Sequence, residues 1–294
     1  MDEFPVIQKA RQFINDAAIN SVPVDVERLA SNAKAKINVR TDMDDDESGQ
    51  TFSLGGKNFI TVNGNQREER QRFTILHEIA HIVLELPSHH HGDNITTSDL
   101  VSYRRRPKEE MLCDVFAAEC LLPYKFFSRD VGNIDVSLHA VKELAKKYKA
   151  SITSTGSRFA VYCNAPCAFV LIENDKIRYV SSSKFLRELN GWIEIGISIP
   201  QGSVAYRLIK EPLKMEDYDE VESNIWFNNG IKGYELVAEE AMLIREWNQC
   251  LSLIWLDESL RRVSQTKNYD DQDEGALLKE LNGVLPWPSK RRRK

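Results

Sequence analysis

The chain has 294 residues, 42% of them hydrophobic, and a formal net charge of -5. This length favours two domains, and the acidic balance argues against a protein whose whole surface binds nucleic acid. Its five cysteines form no disulfide framework in a chain this size, so we expect a reducing, cytoplasmic location. We expect no membrane partner, because neither an export signal nor a run of ~18 apolar residues is present.

The first predicted elements are two short helices and a small antiparallel sheet. Apolar residues recur at helical spacing over 4–18 and again after Pro23, where Asp25 is placed to cap the second helix. A strand over 36–41 and a hairpin over 50–62 follow. The edge strand of this hairpin could hold an extended peptide by backbone pairing, although an ordinary structural hairpin fits the sequence equally well.

Two helices with chemically active side chains come next. The segment 66–86 has no Gly or Pro, carries one apolar stripe and ends before Pro87. A polar loop over 87–107 leads to a second Gly-free helix over 108–122.

The rest of the chain predicts two further parts. A helix, a tight break and another helix over 136–162 loosely resemble a helix-turn-helix. Beyond Pro166, strands are predicted, and then a helix rich in Trp and Leu near 236–256. The predicted strands lie at 168–172, 177–182, 192–199 and 203–209.

The motif HEIAH, which lies in the first of the two helices, indicates a metal site. His77 and His81 are four residues apart, so both imidazoles can reach one ion from one helix face. Glu78 can then reach a water held at the ion and act as the catalytic base. The alternative is that His77 and His81 are ordinary histidines of a helix surface or core and bind no metal.

A catalytic zinc needs a third protein ligand and an open position for water. The metzincin pattern requires Gly and His where this chain has Leu84 and Pro87, so that class is excluded. In the second helix, Glu110 and Asp114 share a face, so Glu110 could bind zinc while Asp114 accepts an N–H from a ligand histidine. The residues that could supply the third ligand are His89, His90, His91, Asp99, Glu109, Glu110 and Asp114.

The two segments RFTILHEIAHIVLE and EEMLCDVFAAECLLP resemble the ImmA/IrrE family of metallopeptidases. The second motif of that family is roughly E-x-x-A-[ND]-x-F-A-x-x-L-L-x-P, and Cys113 replaces its usual Ala. The resemblance covers residues 4–162. It is carried in the second motif by Glu110, Asp114, Phe116, Ala117, Leu121 and Pro123.

The resemblance implies an α+β protein with a zincin-like metallopeptidase domain over 1–162 that ends in the helix-turn-helix-like segment. A smaller α+β sensor or regulatory domain would cover 163–285, as in the longer CapP-like members associated with phage defence; the terminal SKRRRK itself predicts a basic tail at 286–294. The resemblance also implies Zn²⁺ as cofactor and a helix-turn-helix repressor as substrate, cleaved in a stress or DNA-damage response. Single-stranded DNA or a nucleotide is the expected activator.

Several alternatives stay open on the sequence. The chain could be a catalytically silent regulator that binds DNA or protein, or a different zinc hydrolase. The Cys113 thiolate could occupy the water position of the zinc as a reversible brake, or Cys113 could be a small packing residue. The histidines at 89–91 could form an auxiliary metal patch or a solvated loop.

Overall fold

Two helices open the chain, as the spacing of its apolar residues predicts. The computed structural model describes residues 3–44, 47–87, 107–211 and 213–261. The first elements are α1 (Glu3–Asp16) and α2 (Val26–Asn32). The Asp25 side chain accepts a hydrogen bond from the backbone N–H of Arg28 at 3.0 Å. Asp25 therefore caps α2 by satisfying one N–H group of its first turn.

A three-stranded sheet follows, made of β1 (Ala35–Arg40), β2 (Gly49–Leu54) and β3 (Lys57–Asn63) in the order β1-β3-β2. The predicted hairpin is confirmed, because β2 and β3 are antiparallel. However, β1 pairs with β3 in parallel, so the sheet is mixed rather than wholly antiparallel. The apolar strand β3, with Ile60 and Val62 fully buried, takes the centre and leaves the more polar β2 at an edge.

The two helices predicted to carry the metal site are α3 (Glu68–Leu84) and α4 (Lys108–Leu121). They pack against each other, and α1 packs against α4. The contacts are made by apolar side chains of one hydrophobic core, whose buried members on α3 and α4 include Leu76, Ile79, Ala80, Leu112, Phe116 and Ala117. This core fixes the faces of α3 and α4 that meet.

Three shorter helices follow: α5 (Tyr124–Val131), α6 (Leu138–Tyr148) and α7 (Ile152–Tyr162). The last two confirm the predicted helix, break and helix. Lys149 ends α6 in the left-handed conformation, and the Ser151 side chain caps α7. No residue from 151 to 160 is exposed, because α7 packs beneath the strands that follow it.

The second sheet has five strands: β4 (Cys167–Glu173), β5 (Lys176–Ser182), β6 (Glu216–Glu222), β7 (Leu236–Ile244) and β8 (Gln249–Trp255). Their order is β5-β4-β8-β7-β6, with all neighbours antiparallel. Short helices connect them: α8 (Lys184–Glu188), α9 (Val204–Lys210) and α10 (Ser223–Trp226). The protein is thus α+β with a second, sheet-rich part, as predicted.

Two inner strands of this sheet, β4 and β8, are buried on both faces. Phe169 and Leu253 join the core formed by the N-terminal helices. Val170 and Ile254 face the other way, into a second apolar cluster beneath α8 and α9. The sheet therefore lies between two apolar layers.

Three predictions in this part of the chain are wrong. The helix predicted near 236–256 is the hairpin of β7 and β8, because a strand buried on both faces shows no alternation that would distinguish it from a helix. The strand predicted at 203–209 is helix α9, capped by Ser203. The segment 192–199 forms no strand beyond one isolated bridge at Ser198.

Residues up to Arg261 form one compact unit. Side chains of β4 and β8 share the core of α1, α3 and α4. The predicted division between 1–162 and 163–285 stays a prediction, and the basic tail at 286–294 lies outside the described residues.

Candidate metal centre

The middle of α3 is buried on every side, which brings its polar residues into the protein interior. All residues from Leu76 to His81 are buried against β3, α2 and α4. The helix ends at Glu85, which adopts the left-handed conformation and donates its backbone N–H to the carbonyl groups of His81 and Ile82. Two imidazoles, one turn apart, are therefore held in a rigid and largely dry environment.

His77, His81 and Glu110 bring their ligand atoms together. The Nε2 atoms of the two histidines are 3.2 Å apart. Glu110 places one oxygen 3.0 Å from His77 Nε2 and the other 3.5 Å from His81 Nε2. All three side chains are buried, and one ligand atom from each lies within 4.8 Å of the others. This is the group predicted from HEIAH and Glu110.

Asp114 lies behind His77. A carboxylate oxygen of Asp114 is 2.9 Å from His77 Nδ1. Because a carboxylate can only accept, the Nδ1–H of a neutral His77 donates to Asp114 and leaves the Nε2 lone pair directed at the cluster. Asp114 therefore holds the tautomer that a metal ligand requires.

The acidic neighbours also change the proton affinities of the site. Burial disfavours the charged imidazolium, but hydrogen bonds with Asp114 and Glu110 outweigh it and raise the pKa of His77 to about 10. Burial favours a neutral Glu110, but its hydrogen bonds with His77 and His81 lower the pKa of this carboxyl below its usual value. The cluster therefore stabilises positive charge next to Glu110.

The donor set fits a zinc ion. Two ligands at about 2.0–2.1 Å from a tetrahedral ion lie about 3.3 Å apart, close to the separation of the two Nε2 atoms. Two imidazoles and one carboxylate are typical of catalytic zinc sites, in which a fourth position is left for water. The residues present are thus compatible with a metal, and with zinc in particular.

Glu78 is almost completely buried and lies beside this cluster on α3. Its carboxylate oxygen Oε2 accepts a hydrogen bond from the Thr51 hydroxyl at 2.7 Å. Thr51 belongs to β2, so the edge strand of the first sheet contacts the residue predicted to act as the base. No sequence signal pointed to Thr51.

The other predicted residues fall into two groups. Cys113 is fully buried within the core and is not among the residues whose ligand atoms converge; Glu109 is not among them either. A regulatory thiol at Cys113 stays a prediction, although this burial favours a packing role. His89, His90, His91 and Asp99 lie outside the described residues.

Sequence reasoning also missed a buried ion network behind the site. Glu119 on α4 is fully buried and pairs with Arg11 at 2.9 Å and with Arg158. Arg158 also donates to the carbonyl of Leu122. These contacts join α1, α4 and α7, so they support the helix that carries Glu110.

Three comparisons bear on the identity of this region. Residues 31–159 match the peptidase M78 family, described as the IrrE N-terminal-like domain. The chain is similar to the radiation response metalloprotease IrrE of Deinococcus radiodurans, with 36% identity over 101 residues, and to that of Deinococcus deserti, with 35% identity over 99 residues. These alignments cover 33% and 32% of this chain, and 29% and 33% of the two relatives. The matched segment thus spans about a third of each relative.

A solved structure supports the fold over a longer stretch. A Mycobacterium tuberculosis transcriptional regulator aligns with a TM-score of 0.56 and 13% identity, over 85% of this chain and 76% of that one. No helix in the described part of the chain is long and apolar enough to span a membrane. Together, the M78 match and the two IrrE relatives show that residues 31–159 of this chain are similar to the IrrE N-terminal-like domain of the peptidase M78 family.

Proposed function

We propose that this protein is a zinc-dependent peptidase whose metal is held by His77, His81 and Glu110. The observation that carries the proposal is the convergence of these three buried ligand groups beside Glu78. The names of the two Deinococcus relatives, which describe radiation response metalloproteases, agree with it.

Each residue of the site has a distinct task in this reaction. Zinc, when bound, lowers the pKa of water toward about 7 and polarises the carbonyl of the scissile peptide. Glu78 takes the proton of the attacking water and later delivers it to the leaving amine. Asp114 orients His77 through its Nδ1 atom, and burial of the cluster excludes bulk water.

The substrate is proposed to be a polypeptide cleaved within its chain. The edge strand β2 lies next to Glu78 and offers backbone groups to which an extended segment can add as a further strand. We infer a partner helix-turn-helix repressor as the substrate, cleaved during a stress or DNA-damage response. This assignment rests on the family resemblance and on the relatives' radiation response.

The second sheet is proposed to regulate the peptidase, with single-stranded DNA or a nucleotide as the activating ligand. Contacts between the β7–β8 turn and the start of α3 support a regulatory coupling. Glu246 pairs with Arg67, the residue that precedes α3, and the Arg67 guanidinium lies 5.3 Å from the centre of the Trp247 ring. Through these contacts, a conformational change in the second sheet can alter the position of α3, the helix that carries both histidines.

The alternative function is a catalytically silent regulator that binds DNA or protein. DNA binding through α6 and α7 would require an exposed recognition helix. However, α7 has no exposed residue from 151 to 160, and Ser157 and Tyr179 hydrogen-bond across the contact with β5 at 2.6 Å. This burial favours the peptidase over a DNA-binding role for that helix pair.

The decisive experiment compares the wild type with Glu78→Gln. We expect one zinc per chain in both proteins, because Glu78 is not a ligand, and cleavage of a candidate repressor only by the wild type, with single-stranded DNA present. Zinc analysis and gel electrophoresis give the two readouts. A wild type without zinc would contradict the proposal and support the silent regulator.

A further inference from the structure

Thr51 connects the edge strand β2 to the candidate base Glu78 through a side-chain hydrogen bond. Its hydroxyl donates to Glu78 Oε2 at 2.7 Å, and Glu78 is only 1% exposed. A hydrogen bond to a charged carboxylate in such an environment is short and strong. The contact joins residues that are 27 positions apart in the chain and belong to different elements.

The direction of the Thr51 side chain follows from the pairing of β2 with β3. Thr51 is opposite Ile60, which is fully buried and faces the helices, whereas Phe52 is opposite Phe59 on the other face of the sheet. The two phenylalanine rings stack there at 5.2 Å. Because Thr is branched at Cβ, the strand also restricts the direction in which its hydroxyl points.

A carboxylate that moves a proton must present an oxygen to the water in a fixed orientation. We propose that Thr51 is a positioning residue that fixes the Glu78 carboxylate for proton transfer by holding its Oε2 atom. This role rests on the proposed peptidase function. It assigns to the edge strand a part in orienting the base, in addition to any contact with the substrate backbone.

Three variants separate this role from a structural one. Thr51→Val has the same shape and a high strand propensity, so the sheet is retained while the donor is lost. Thr51→Ser keeps the hydroxyl. Ser53→Ala is the matched control, since Ser53 lies on the same strand and face but its hydroxyl donates to Asn58 at 2.6 Å.

With a peptide substrate, we expect Thr51→Val to lower kcat about 10-fold or more and to leave KM within about twofold. Thr51→Ser should retain most of the wild-type kcat, and Ser53→Ala should have the kcat and KM of the wild type. An unchanged kcat in Thr51→Val, or the same loss in Ser53→Ala, would overturn the proposal. A loss confined to KM would assign Thr51 to substrate binding instead and overturn it as well.

Two readouts do not depend on turnover. Zinc content should be the same in all variants, because Thr51 is not a ligand. Crystal structures should show the Glu78 carboxylate displaced in Thr51→Val and retained in Thr51→Ser. An undisplaced Glu78 carboxylate in Thr51→Val would refute the positioning role, whether or not the wild type cleaves a substrate. A wild type that cleaves no substrate would contradict the proposed function instead.

Discussion

Asp114 accepts a hydrogen bond from the Nδ1 atom of His77 across 2.9 Å, and both side chains are buried. The contact joins α3 to α4 and selects the ring nitrogen that faces Glu110. A metal ligand held this way depends on a residue that does not touch the metal.

Asp114→Asn should therefore weaken zinc binding without removing a ligand. The amide can turn its oxygen toward His77, but it lacks the charge that supports the imidazole, so we expect about a 10- to 100-fold lower affinity. Competition with a chelator of known affinity measures this change. Wild-type affinity in Asp114→Asn would show that the hydrogen bond does not tune the site.

The identity of the third ligand leads to a second prediction. Glu110→Ala should lose both zinc and activity, since two histidines alone rarely retain the ion. Glu109→Ala is the matched control, because it is the adjacent residue and one of the alternatives that the sequence left open. We expect Glu109→Ala to keep one zinc per chain by metal analysis. Zinc loss in Glu109→Ala alone would move the ligand assignment to Glu109.

Zinc binding should depend strongly on pH. The pKa of His77 is raised to about 10 by Asp114 and Glu110, so below that pH a proton occupies the ring that the metal needs neutral. Raising the pH removes this competing proton, and the affinity should increase about tenfold per unit between roughly pH 6.5 and 8.5.

Isothermal titration calorimetry in buffers of different ionisation enthalpy checks this prediction through the protons released on zinc binding. About one proton should come from His77 at pH 7.5. An affinity that is flat over this range would mean that His77 is already neutral in the metal-free protein. Asp114→Asn, which removes one of the two acidic partners, should show a weaker pH dependence.

Helical spacing predicts only part of the candidate metal cluster. His77 and His81 are four residues apart in a long helix without Gly or Pro, which places them on one face. Spacing left the third ligand open, because only the folded chain brings Glu110 of α4 to the two histidines. Thr51 and Glu119 could not be found in this way. Their partners lie on other elements, and only the folded chain brings a strand to Glu78 or Arg11 and Arg158 to Glu119.

The second part of the fold was harder to predict for a physical reason. Strand β8 is buried on both faces, so its continuous apolar run has no period of two. Helix α9 buries Val204, Ala205 and Leu208, but seven residues are too few for the helical period to be distinct. In the segment 192–199, isoleucines alternate with other residues, but Ile195 and Ile197 are exposed, so the alternation does not mark a continuous buried face.

Gly156 leads to a final prediction, about the contact between α7 and the second sheet. A Cβ atom at this position would lie 2.2 Å from the ring of Phe169, which is fully buried and has little room to move. Gly156→Ala should lower the free energy of unfolding by about 1–3 kcal/mol, despite the better helix propensity of Ala. Thermal and denaturant unfolding measure the loss.

The double variant Gly156→Ala with Phe169→Leu provides the control. The smaller side chain makes room for the methyl group, so the two changes together should cost less than the sum of their separate effects. Gly156→Ala without any cost would contradict the close packing of α7 against the Phe169 ring. It would also weaken the argument from the burial of α7 against a DNA-binding role.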